Sequence, residues 1–146
     1  MAAVREASVT WNGDLVGGSG TINQVTSKAI SGLPVTWAAR TEGPEGKTSP
    51  EELIASAHAS CYAMAFSFGL GNAGTPPQKL EVSATVTFDR VAEGFKVVSS
   101  ALKISGQVAG IDDAAFQEAA EAAKDGCPVS QALKGNVELS VEATLE

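Results

Sequence analysis

Charge is scarce in this 146-residue chain: 18% of residues are charged, against the ~25% usual for a soluble domain. Aromatics are scarcer still, at 5%, and there is one histidine, His58. There are two cysteines, Cys61 and Cys127, too few for a small disulfide scaffold. Positive charge is in deficit: 10 Lys and Arg face 17 Asp and Glu, for a net charge of -7. A basic footprint for nucleic acid or an anionic membrane is therefore not expected. An unbroken apolar run is missing too. The stretch from Leu53 to Ala73 is weakly charged, but Ser56, His58, Ser60, Ser67 and Asn72 interrupt it, so it reads as a core helix rather than a membrane span. The opening MAAVREASVTWNGD carries charge early and has no apolar core, so no secretory leader is expected. A cytoplasmic location follows as an expectation, and there a cysteine pair is more often catalytic, redox-active or metal-binding than structural.

What is present suffices for one domain, residues 1–146. Residues 5–11 alternate and end at Asn12-Gly13, a hairpin signal, with a return strand over 20–26. A third strand is expected over 33–39, ending at Arg40. Ser49-Pro50-Glu51-Glu52 is a strong helix start: a capping serine, proline at the first helical position and two acids at the positive end of the dipole. The helix should run from Pro50 to about Gly69 or Gly71. It is apolar or small nearly all round, with Ile54, Ala57, Cys61, Ala65 and Phe68 on one stripe. One sheet can cover only one side of such a helix, so a second copy of the chain is expected on the other.

Beyond Pro77 the period becomes two, with Val82, Ala84, Val86 and Phe88 on one face. A return strand over 95–105 shifts phase near Val97-Val98, which predicts a bulge. Asp112 or Asp113 caps a second helix that stops with Gly126 just past its end. Cys127-Pro128 opens a short helix through Leu133, and Val137 to Leu145 alternate as a last strand. The order predicts an α+β fold with antiparallel sheet.

Each thiol has two readings. Cys61 in a packed helix is a small core residue, inert unless a cation is held against it. Cys127 at a helix start faces unpaired N–H groups, which favour thiolate, so local chemistry ranks it the more nucleophilic. Of the arginines Arg5, Arg40 and Arg90, Arg40 precedes the helix and has Glu51 as a natural partner. His58 reads as a packed or helix-bonding histidine: one His and two distant Cys do not make a zinc set.

Arg40-Thr41-Glu42-Gly43, the run PEELIASAHASCYAMAFS from Pro50 to Ser67, and GCPVSQALK from Gly126 to Lys134 together resemble the OsmC family, whose name stands for osmotically inducible protein C. Its sibling branch is the organic hydroperoxide resistance proteins, and R-T-E-G resembles the OsmC branch. The resemblance implies a thiol-dependent peroxidase acting on organic hydroperoxides and more weakly on hydrogen peroxide. Cys61 would be the attacking thiol and Cys127 an exposed, movable thiol that resolves it as an intramolecular disulfide. Arg40 would stabilise the thiolate and polarise the peroxide, and Glu51 would hold Arg40. Recycling by a dithiol of lipoyl type is implied, without haem, flavin or metal, in an intertwined homodimer around two central helices. Glu51 and Cys61 are ten residues apart, about 15 Å along a helix. Arg40 or Glu51 is therefore expected to reach each Cys61 from the second subunit. The rival readings are a non-enzymatic redox or ligand-binding protein and a metal or Cys-His hydrolytic domain.

Overall fold

The computed structural model describes residues 1–146. They form two compact units, Met1–Leu53 and Ile54–Glu146. In the first, β1 (Ala7–Asn12), β2 (Ser19–Val25) and β3 (Ser31–Val35) form an antiparallel sheet in that order. The Asn12-Gly13 signal sits at the expected place, and Gly13 takes a φ of 89°, where glycine is favoured. The third strand is shorter than its apolar run predicts. Thr36 stops it: its backbone is extended while its hydroxyl accepts from the Ala39 N–H at 3.1 Å, so α1 (Trp37–Thr41) starts there. Arg40 thus stands in the last turn of a helix, not at a strand end.

Helix α2 (Pro50–Asn72) begins as the sequence predicts, with Ser49 Oγ accepting from the Glu52 N–H at 3.2 Å. It ends one to three residues beyond expectation. Gly74, at φ +85°, is the left-handed residue that closes it; its N–H donates to Gly71 and that of Thr75 to Leu70, as in a Schellman cap. Gly69 and Gly71 stay helical because an isolated glycine weakens a helix without ending it.

In the second unit, β4 (Lys79–Val91) and β5 (Gly94–Gln107) form a long antiparallel hairpin. Thr87 faces Ser99 and Phe88 faces Val97, so Val98 is the extra residue of the expected bulge. Then come α3 (Asp113–Gly126), capped by Asp112, α4 (Pro128–Leu133) and β6 (Glu138–Leu145). Here the antiparallel expectation needs correcting: β6 pairs parallel with β5, Ser99 facing Glu138 and Gly106 facing Leu145. Alternation reads the same in either direction, and it is the crossover through α3 and α4 that sets the direction.

The core of this unit is Tyr62, Phe66 and Leu70 from α2, Leu102 and Ile104 from β5, and Phe116, Ala120 and Ala123 from α3. The Phe66 and Phe116 rings meet at 5.2 Å. Gly106 lets them in: a Cβ there would stand 2.6 Å from the Phe116 ring. The buried stripe of α2 is His58, Tyr62, Phe66 and Leu70, not the expected line through Phe68. Phe68 and Met64 are each 72% exposed. The helix is small or apolar all round, so its sequence carries no phase to say which side faces the sheet.

Candidate functional site

The expected residues come as two pairs, each within its unit. In the first unit, the turn between α1 and α2 brings Arg40 to Glu51. Arg40 Nη2 donates to Oε1 at 2.7 Å, and Nε donates to both carboxylate oxygens at 3.1 and 3.2 Å. This two-pronged contact fixes the guanidinium plane, which lysine could not do. Trp37, three residues before, lies 6.0 Å from the guanidinium carbon, within cation–π range. Beside Arg40 is a pocket of about 280 Å³ walled by Val9, Trp11, Leu15, Val35, Trp37 and Leu53. The pairing of Arg40 with Glu51 is as expected, while Trp37 carried no signal in the sequence reading.

In the second unit, Cys61 and Cys127 are both free and near enough that each shifts the other's titration. Cys61 is half-buried at the start of the fourth turn of α2. Burial pushes its thiol up, and neighbouring Cys127 pushes it further, against the Val129 N–H, which favours the thiolate. Cys127 is placed by the junction of two helices: it closes α3 and caps α4 at once, accepting from the Ser130 N–H at 3.5 Å. Gly126 is accordingly the last residue of α3 and has no left-handed φ, contrary to its expected place beyond the helix.

Cys127 is also fully buried, where an exposed thiol was expected. The two helices meet with no loop between them, so the residue at the joint is covered from both sides. Burial pushes its thiol up. The Ser130 N–H and hydroxyl, the Cys61 thiol and the Val129 N–H outweigh this and hold it below the ordinary thiol value. The donors around Cys127 thus favour its thiolate, whereas around Cys61 burial is opposed by the Val129 N–H alone.

His58 is packed, as expected, but not against its own helix. Its Nδ1 lies 2.7 Å from Ser100 Oγ and its Nε2 2.8 Å from Ser130 Oγ. With both nitrogens engaged in a buried setting, the ring is not available as a metal ligand. Burial lowers its pKa and keeps it neutral. Ser130 sits three residues after the capping Cys127, where a side chain meets the cap, so it was discoverable. Ser100, on a strand, had no such signal. Tyr62, next to Cys61, is pushed up by burial, Glu121 and Cys127; its hydroxyl donates to the Ala120 carbonyl at 2.7 Å.

The family profile described as OsmC-like protein matches residues 43–142. The chain is 39% identical over 142 residues to Peroxiredoxin OsmC of Escherichia coli strain K12, covering 97% of this chain and 98% of that one. It is 30% identical over 100 residues to the Organic hydroperoxide resistance protein of Xanthomonas axonopodis pv. citri, 64% of this chain and 65% of that one. In backbone it resembles the crystal structure of an organic hydroperoxide resistance protein OsmC from Legionella pneumophila, with a TM-score of 0.72, 20% identity, and coverage of 98% and 99% of the two chains. At that identity the likeness is one of fold.

Proposed function

Because this chain belongs to the OsmC family, we propose that it is a thiol-dependent peroxidase that reduces organic hydroperoxides to alcohols. The observation that carries the reading is a pair of free, neighbouring thiols, Cys61 half-buried on α2 and Cys127 buried at the joint of α3 and α4. The Cys61 thiolate attacks the terminal peroxide oxygen. An S–O bond forms, the O–O bond breaks, the alkoxide takes a proton and leaves as alcohol, and Cys61 becomes a sulfenic acid. Cys127 attacks that sulfur, an S–S bond forms, and hydroxide leaves as water. An external dithiol of lipoyl type reduces the disulfide.

Arg40 is the cation for this chemistry. Oriented by Glu51, it favours the Cys61 thiolate and polarises the peroxide, and the apolar pocket at its side takes the organic tail. Glu51 precedes Cys61 by ten residues, about 15 Å of helix rise, so the Arg40 that serves a given Cys61 is supplied by a second subunit. The exposed Met64 and Phe68 on α2 are the face such a homodimer would cover. We place this cycle in the cytoplasm, where dithiol reductants are kept reduced.

The test is titration of the reduced protein with cumene hydroperoxide. Loss of about two thiols per chain with formation of a Cys61–Cys127 disulfide is expected, and Cys61→Ser should abolish turnover. Full dithiol-dependent peroxidase activity in Cys61→Ser would overturn the reading.

A further inference from the structure

We propose that Ser100, His58 and Ser130 form a buried hydrogen-bond line that holds the Cys127 sulfur as an acceptor beside Cys61, and so sets the rate of disulfide formation rather than of peroxide attack. The inference rests on the Cys61–Cys127 cycle above. The line starts on β5 at Ser100, crosses α2 at His58 and arrives on α4 at Ser130. Ser130 then donates its N–H to the Cys127 sulfur at 3.5 Å, and its hydroxyl is near enough to favour the thiolate. None of the four residues is more than 2% exposed, so bulk water does not compete for these groups.

One direction of donation satisfies every atom. A hydroxyl has a single proton. If Ser130 gives its proton to Cys127, its oxygen accepts from His58 Nε2–H. Nδ1 is then bare and accepts from the Ser100 hydroxyl. That tautomer is neutral, in keeping with the burial of the ring. The opposite tautomer turns the Ser130 proton toward Nε2 and leaves Cys127 with backbone donors and Cys61. The titratable groups facing Cys127 are Cys61 and Tyr62 from α2, and Tyr62 in turn faces Glu121 of α3. Within its own chain none of these brings a positive charge, so the donors that this subunit offers the thiolate are neutral. His58 touches neither peroxide nor a reacting sulfur and is a positioning residue.

The step affected is the second one. Cys127 thiolate attacks the sulfur of the Cys61 sulfenic acid, the S–S bond forms and the S–O bond breaks. The departing hydroxide takes up a proton to become water, with Cys127 oxidised and Cys61 reduced. Rapid-quench alkylation and mass spectrometry of the full chain, after mixing with cumene hydroperoxide, separates sulfenate formation from disulfide formation. Ser130→Ala and His58→Leu are expected to slow the disulfide step about tenfold, the worth of one hydrogen bond to a charged acceptor, and to leave the sulfenate step alone. His58→Gln, whose amide can still donate to Ser130, should recover most of the loss. In a Cys61→Ser background, Ser130→Ala should move the Cys127 thiolate absorbance to higher pH.

An unchanged disulfide step in Ser130→Ala overturns the inference, as does equal slowing of both steps with no rescue by glutamine. Ser130→Ala removes one hydroxyl and keeps the test alive if His58→Leu does not fold. A wild-type chain that consumes peroxide without forming the Cys61–Cys127 disulfide would instead overturn the underlying cycle.

Discussion

Arg40 and Glu51 illustrate how much a single carboxylate can matter to reactivity and how little to stability. The pair is partly exposed, with side-chain accessibilities of 28% and 10%, and such pairs contribute about 0–1 kcal/mol. Glu51→Gln should therefore change the melting point little. It should lower kcat/KM for cumene hydroperoxide about tenfold, because the guanidinium loses the two-oxygen partner that fixes its plane. Steady-state rates alongside calorimetry check this. Cys127→Ser should still consume one equivalent of peroxide per chain and accumulate the Cys61 sulfenic acid, detected by dimedone adduct mass. The sequence singled out both cysteines, the arginine and the acid as candidates, and the structure brings Arg40 to Glu51 and Cys61 to Cys127. The burial of Cys127 was not, because a Gly-Cys-Pro turn reads as surface until the helices on either side are seen to meet without a loop. The partners of His58 were out of reach for another reason. Ser100 and Ser130 are 42 and 72 positions away, and a serine on a strand has no pattern that points inward.

Among the elements, the start of α2 was fully readable because capping chemistry is local: Ser49, Pro50 and the acids act within one turn. Its end was misread because the residue that matters, Gly74, lies beyond two glycines that do nothing. Gly74→Ala places a Cβ at a left-handed φ and should cost about 1 kcal/mol in denaturant unfolding. Helix α1 was missed for the opposite reason: Thr36 is a local signal, but the apolar run around it spoke for strand. On β5, Gly106→Ala would push a methyl against the Phe116 ring, and overpacking of this kind costs about 1–3 kcal/mol. The complementary change Phe116→Ala should cost about 3–5 kcal/mol. Urea titrations of both variants compare crowding with cavity formation at one contact.

On the scale of the molecule, two expectations concern assembly and acid. Phe68→Glu puts a charge on the exposed apolar face of α2 and should convert a dimer to monomer by light scattering, with loss of peroxidase activity if Arg40 is supplied by a second subunit. The fold also holds His58 neutral. A depressed pKa contributes stability above the ordinary histidine value of 6.5, and this is lost as pH falls below it, since the unfolded chain binds a proton that the native one refuses. The wild type should lose up to about 1.4 kcal/mol per pH unit from this one group, and His58→Gln should lack that component in urea midpoints measured from pH 7.5 to 5.

The parallel pairing of β6 has a temporal meaning. The β4–β5 hairpin joins neighbours across a turn at Ala92-Glu93, whereas β6 can take its place only after the chain has looped back through α3 and α4. Closing the longer loop costs more entropy before any contact repays it. The hairpin is therefore expected to form early and β6 late. Val82→Ala should slow refolding in stopped-flow chevrons. Val141→Ala should leave refolding almost untouched and speed unfolding instead: the strand that completes the sheet is the latch that sets how long it stays shut.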